Sequence, residues 1–217
     1  MVPSGKHTSQ NKRIGSQKDK NSSVTVAGII LAAGESKRFG KPKQLLSWRG
    51  KSILYRTVET AICSKLFPVI VVLGANASKI QESIGDLPIK IIINLNWKDG
   101  QSTSLITGLQ ILPKHQGAAM FLLSDTPFVN SALIHSLLQT YFQERKPITA
   151  PLVDGQRGNP VIFDKCTFPD LRMLTGDKGG RHLFTKFPVS WVPWYDRRIL
   201  FDIDTPNDYE HLLAEEI

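Results

Sequence analysis

The sequence predicts an α/β protein: a three-layer, doubly wound, Rossmann-like domain on a mostly parallel sheet. Two observations carry this. Short uninterrupted apolar runs recur along the chain, and such runs are comfortable only as strands buried on both faces. Between them lie stretches whose apolar residues recur at helical spacing. Alternating strand and helix implies parallel strands joined by right-handed crossovers.

The first strand is Val26 to Leu31. It opens into the loop Ala32 to Gly40, which carries Glu35, Lys37 and Arg38, and Lys41 and Lys43 follow around Pro42. A buried strand that runs into a small-residue, cation-bearing loop is a phosphate-binding device. Gly34 and its alanine neighbours let backbone N–H groups approach an anion, and Arg38 and Lys43 can neutralise it. Neither common phosphate loop is present. The Walker pattern needs Gly-Lys-Ser/Thr, and the dinucleotide fingerprint needs Gly-x-Gly-x-x-Gly.

Ser52 fits as an N-cap for a helix with Ile53, Leu54, Val58, Ala61, Ile62 and Leu66 on one face. Pro68 precedes a strand at Val69 to Leu73, Ile80 and Ile84 mark a short helix, and Ile89 to Leu95 reads as a third strand. A helix opens at Ser102, with Leu105, Ile106, Leu109 and Leu112 as its stripe. Ala118 to Leu123 is a fourth strand, and Leu133 to Tyr141 forms the next helical stripe. Shorter strands follow at Ile148 to Pro151, Val161 to Phe163, Val189 to Pro193 and Ile199 to Asp202. A last helix begins near Pro206, capped by Asp204 or Thr205.

Met1 to Ser23 is polar and nearly free of apolar residues, so residues 1–23 are expected to be a disordered basic tail preceding one domain over 24–217. The tail has no secretory h-region. It holds about half of the net charge of +8, which leaves the body only mildly basic. With no aromatic-interleaved basic stripe and no bilayer-length apolar run, nucleic-acid and membrane roles are not expected. Cys63 and Cys166 lack CxxC spacing and the five histidines are scattered, which argues for a reducing, cytoplasmic setting and against a zinc site.

Ligands of doubly wound sheets bind beyond the carboxyl ends of the strands, so the first loop and Asp125, just past Leu123, should share an edge. A carboxylate there suits Mg²⁺, although Asp before Thr126-Pro127 also forms a good turn. Asp202 and Asp204 can face one cation. Asp202 is favoured as the ligand, because Asp204 before Thr205-Pro206 also reads as a helix cap. The hydroxyls of Ser102 to Ser104 at a helix start can hold a base, ribose or phosphate, or simply cap the helix with Ser102. The loops around Arg157-Gly158-Asn159 and Asp177 to Arg181 suit a second anionic substrate, or are plain surface turns.

Leu31-Ala32-Ala33-Gly34, Ser36-Lys37-Arg38-Phe39-Gly40 and Lys43-Gln44-Leu45-Leu46 resemble the signature of nucleotidyltransferases that activate small substrates with an NTP. With Gly100 to Leu105, Asp125-Thr126-Pro127, Arg157 to Val161, Gly176-Asp177 with Arg181, and Asp202 to Pro206, the chain is similar to molybdenum cofactor cytidylyltransferases, within the molybdopterin-guanine-type NTP transferases. The Leu-Ala-Ala-Gly form resembles the cytidylyl branch. Two departures are Asn159, where many relatives have His, and Lys37, where many have a second small residue. The resemblance implies transfer of CMP from CTP to the terminal phosphate of molybdopterin, with release of pyrophosphate. It implies a nucleotide site at Leu31, Ala32, Ala33, Gly34, Arg38, Lys43, Ser102 and Ser104, with Arg38, Lys43 and Asp125 catalytic. Asp125 and Asp202 would bind Mg²⁺, and Arg157, Asn159, Asp177 and Arg181 would bind the acceptor, a phosphorylated pterin. A molybdoenzyme or its chaperone would be the client. The alternatives are a nucleotidyltransferase for a sugar phosphate or other phosphate acceptor, and a non-catalytic carrier of the pterin cofactor.

Overall fold

The computed structural model describes residues 25–215. The expected tail at residues 1–23 lies outside the described residues.

The centre of the sheet is β1 (Val26–Ala32), hydrogen-bonded in parallel to β4 (Val69–Leu73) on one side and β6 (Ala118–Leu123) on the other. The remaining elements, in chain order, begin with the hairpin β2 (Ser47–Trp48) and β3 (Lys51–Ser52), α1 (Ile53–Cys63), α2 (Ala77–Glu82), β5 (Lys90–Ile93) and α3 (Gln101–Gln110). After β6 come α4 (Ser131–Glu144), β7 (Ile148–Val153), β8 (Gln156–Arg157), β9 (Val161–Asp164), α5 (Phe168–Arg172), β10 (Val189–Pro193) and α6 (Pro206–Ala214). The strand order is β10-β7-β9-β6-β1-β4-β5, with β8 paired to β7.

Successive residues of β1 enter opposite cores. Val26, Ile30 and Ala32 pack with α1 and α4 through Leu54, Val58, Leu133 and Leu137. Ala27, Ile29 and Leu31 pack with α3 and α5 through Leu105, Leu109, Phe168 and Leu171. The period of two thus feeds two helix layers, which is the expected three-layer, doubly wound architecture. On the second face α3 lies very close to β1: a Cβ at Gly108 would stand 2.6 Å from Ile29 Cγ2, so only glycine fits there without movement.

Three local expectations need correction. β9 lies between β6 and β7 and runs antiparallel to both, so one reversed strand interrupts a parallel run that β7 and β10 continue. Ile199 to Asp202 is no strand. Arg197–Leu200 forms a 3-10 turn, started by the Asp196 side chain accepting from the Arg198 N–H, and the chain then runs extended to α6. Ser102 is not the cap of α3: that position is Gly100, and the Ser102 hydroxyl is buried with no hydrogen-bond partner. At α6 the cap is Thr205, in a reciprocal capping box with Asp208, rather than Asp204. No helix among the described residues is long and apolar enough to cross a membrane.

A third apolar cluster positions the site. Leu46, Trp48 and Ile53 pack on Ile203 of the strand-to-helix link and Leu212 of α6, with Phe39, Phe128, Phe201 and Tyr209 around them. Each buried large side chain here contributes roughly 1.5–3 kcal/mol relative to exposure. The cluster clamps the Lys43 segment against the Asp202 to Thr205 segment, although some 160 residues separate them in sequence.

Candidate active site

Leu31 of β1 lies in register with Leu123 of β6, so both strands end flush and their following residues emerge side by side. Ser124 N–H donates to Leu31 O at 3.3 Å, which ties the two exits together. Asp125 leaves the end of β6 beside the loop that leaves β1, at the carboxyl edge where ligands of such sheets bind.

That loop is braced from below by Gln44, a buried side chain on the 3-10 turn Lys43–Leu45. Its Nε2 donates to Ala32 O at 3.3 Å and Gly34 O at 3.0 Å. Ala75 N–H donates to Ala33 O at 3.0 Å, and Ser36 Oγ accepts from the Lys43 N–H at 3.2 Å. Three successive carbonyls are therefore tied to protein donors, and the space a Gly34 side chain would occupy is open. The loop's carbonyl edge faces protein, as an anion cradle requires.

Lys43 is the hub of the charged groups. Its Nζ lies 2.6 Å from Asp125 Oδ2, 3.0 Å from Ile203 O and 3.2 Å from Asp204 Oδ1. Burial alone would lower this ammonium, but the carboxylates of Asp125 and Asp204 outweigh it and hold it above its ordinary range. Arg38 pairs with the other oxygen of Asp204 at 3.2 Å. Asp202 is exposed, yet partial desolvation, then the charges of Asp125 and Asp204, push its carboxyl up to about 6. Asp125 Oδ1 is buried without a hydrogen-bond partner. Among the described residues no three His, Cys, Asp or Glu side chains form a closed metal cage. An unpartnered carboxylate oxygen beside a second, crowded carboxylate is what Mg²⁺ suits, since it keeps waters and takes one or two carboxylates plus substrate phosphates.

These groups border a cavity of about 680 Å³ lined by Leu31, Ala33, Gly34, Lys43, Ser104 and Asp125, with Trp97 and Gln101 among the other walls. A second cavity of about 240 Å³ adjoins it, and Leu31, Gln101, Leu123 and Asp177 line both. Its floor is Phe121 and Phe163, and its polar groups include Arg157, Asn159 and Arg181. Burial, then the neighbouring Arg181 charge, lowers the Arg157 guanidinium, whose carbon also sits 4.9 Å over the Phe184 ring. Of the residues expected in the site, Ala32 and Ser102 are buried behind the first cavity wall, and Arg38 and Asp202 stand outside its lining.

The loop that carries Asp177 is fastened to the start of α3. Ser102 N–H donates to Gly176 O at 3.1 Å. Gly100 has φ +104°, and a Cβ there would stand 2.2 Å from the Gly176 carbonyl carbon. Sequence reasoning missed Asn94. This buried side chain donates to Thr103 Oγ1 at 2.8 Å and Ser104 Oγ at 3.0 Å, and so orients the hydroxyls at the start of α3. Its signal is an amide directly after the apolar run Ile91 to Ile93.

Residues 28–190 match the MobA-like NTP transferase domain. The chain belongs to that family. It is a nucleotidyltransferase of MobA-like type. Its relatives include a probable molybdenum cofactor guanylyltransferase from Bacillus cytotoxicus, 28% identical over 88% of this chain and 97% of that protein. They also include the nicotine blue oxidoreductase of Paenarthrobacter nicotinovorans, 28% identical over 87% of this chain and 96% of that protein. Shared fold therefore does not alone decide the reaction. The crystal structure of Rv0371c from Mycobacterium tuberculosis H37Rv superposes with a TM-score of 0.79 at 26% identity, over 88% of this chain and 98% of that one. The same protein has also been solved in complex with manganese.

Proposed function

We propose that this MobA-like protein transfers CMP from CTP to the terminal phosphate of molybdopterin and releases pyrophosphate, with Mg²⁺. The observation that carries the reading is the convergence of Lys43, Arg38, Asp125, Asp202 and Asp204 beside a carbonyl-braced loop at the flush ends of β1 and β6. A half-buried lysine and an exposed arginine next to carboxylates supply both halves of a metal–triphosphate site.

The loop Leu31 to Gly34 receives the nucleotide, and Lys43 and Arg38 hold its triphosphate. Asp125 and Asp202 would hold Mg²⁺, which when bound withdraws charge from the phosphates and from the departing pyrophosphate. Ser104, oriented by Asn94, faces the same cavity, and Ser102 lies just behind its wall. The phenylalanine floor of the adjoining cavity suits a flat ring, and Arg157, Arg181 and Asn159 suit its phosphate, with Asp177 at the boundary. An oxygen of the acceptor phosphate attacks the α-phosphorus of CTP, a new P–O bond forms, and the bond to the β-phosphate oxygen breaks. That phosphate is already ionised near neutral pH, so the chain must orient and screen it rather than deprotonate it. The product would pass to a molybdoenzyme or its chaperone.

Relatives named guanylyltransferases argue for GTP. The Leu-Ala-Ala-Gly form favours CTP, and Ala33, where glycine would be the smaller choice, lines the cavity. The test is pyrophosphate release with each of the four NTPs, with and without molybdenum cofactor. CTP should be preferred and acceptor required, and Ala33→Gly should shift preference towards GTP. Acceptor-independent release, or GTP preference in the unmutated protein, would refute the respective half of the reading.

A further inference from the structure

Lys43 occupies one oxygen of Asp125, the carboxylate read as a metal ligand. Its ammonium already bridges the two carboxylate segments, at 2.6 Å from Asp125 and 3.2 Å from Asp204, and a backbone carbonyl completes its shell at 3.0 Å. The side chain is only 15% exposed, so this is an enclosed arrangement rather than a loose surface pair. Arg38 takes the remaining oxygen of Asp204. Two carboxylates thus pair with two cations, and a divalent ion brought in alone would meet an ammonium on Asp125, the carboxylate it must use. The other oxygen of Asp125 is buried and unpartnered, so a ligand atom is ready while its twin already holds a cation.

We infer that Lys43 is the internal placeholder of the cation site, and that a divalent metal binds well only after a triphosphate has drawn Lys43 off Asp125. This rests on the reading of Asp125 as a metal ligand. The triphosphate is the one substrate group with enough negative charge to replace both carboxylates as partner of Lys43 and Arg38. Once they turn to it, Asp125 and Asp204 each lose their cation, and the carboxylate cluster regains its full negative charge for the metal. Nucleotide therefore binds first, and metal and nucleotide reinforce each other. Linkage makes that reinforcement reciprocal.

Mn²⁺ titration followed by the electron paramagnetic resonance of the free ion tests this without turnover. In nucleotide-free protein the unmutated chain should bind Mn²⁺ weakly, and Lys43→Met should bind it about tenfold or more tightly. Lys43→Gln serves as a second variant, and near-ultraviolet circular dichroism checks that both are folded. In a chelator, a non-transferable α,β-methylene analogue of CTP should still bind the unmutated protein. Equal Mn²⁺ affinity in the unmutated protein and both variants would overturn the inference, as would analogue binding that requires prior metal. Adding Asp125→Asn to Lys43→Met separates the two layers. Loss of the gained Mn²⁺ affinity supports the site, and its retention sinks the metal assignment itself.

Discussion

Replacing Asp202 by asparagine should stabilise the metal-free protein. Asp202 shares its neighbourhood with Asp125 and Asp204, and only Lys43 works in its favour. Its carboxyl is pushed from 3.8 in the unfolded chain to about 6 in the fold. A carboxyl with a raised folded pKa binds its proton more tightly when folded. Its contribution to stability is full below about pH 3.8 and is lost as pH rises through about 6. At pH 7.5 the charged side chain is therefore a net cost. The gap of roughly two units sets a ceiling of about 3 kcal/mol. Solvent screening at this exposed residue brings the expected gain to about 1 kcal/mol. For a domain of this size that is a rise of about 2–4 °C in Tm. The assay is a pair of thermal melts in chelator, at pH 7.5 and pH 4.5, for the unmutated protein and Asp202→Asn. The variant should melt higher at pH 7.5, and the advantage should shrink at pH 4.5. Equal or lower Tm at pH 7.5, or an advantage that does not depend on pH, would refute the reasoning. A side chain that destabilises the empty fold while standing beside Asp125 and Asp204 is one kept for binding rather than for folding.

Two further variants probe the rest of the site. Gly100→Ala places a Cβ 2.2 Å from the Gly176 carbonyl carbon at φ +104°, so it should cost about 2–4 kcal/mol and loosen the Asp177 loop. A chemical denaturation curve checks this, and an unchanged midpoint would count against the packing described. Arg157→Met and Arg181→Met should each raise KM for the acceptor several-fold and leave KM for the NTP nearly unchanged, as steady-state kinetics with each substrate varied in turn will report.

The central half of the fold is legible in sequence because its strands are buried on both faces. Val26 to Leu31 and Ala118 to Leu123 can be nothing but interior strands, and the helices between them carry unambiguous stripes. Past Ile148 three of the four expected strands are present, and what the sequence hides is the direction of one and the fate of the last. There β9 reverses direction between β6 and β7, and apolar residues near Ile199 pack as a capped turn instead of pairing. Within the site, Asp125 and the Leu31 to Gly34 loop are readable because each follows directly from a strand end. The pairing of Asp204 with Lys43 and Arg38 is not, because it depends on Leu46, Trp48 and Ile203 clamping two segments far apart in sequence. Asp204 looks like a helix cap by spacing alone, and only Thr205 taking that role frees it for ion pairing. Gln44 is equally silent: nothing about a glutamine after a lysine announces that it holds two loop carbonyls.

The most direct measurement of the central claim follows the α-phosphate. The protein is incubated with CTP radiolabelled at the α-position, Mg²⁺ and molybdenum cofactor, and the products are separated by chromatography and weighed by mass spectrometry. Nucleotidyl transfer predicts that the label appears in a single product with the mass of the acceptor plus CMP, in step with one pyrophosphate released, and that Asp125→Asn abolishes it. Label recovered only as free CMP or unreacted CTP, with the acceptor unchanged in mass, would contradict the account.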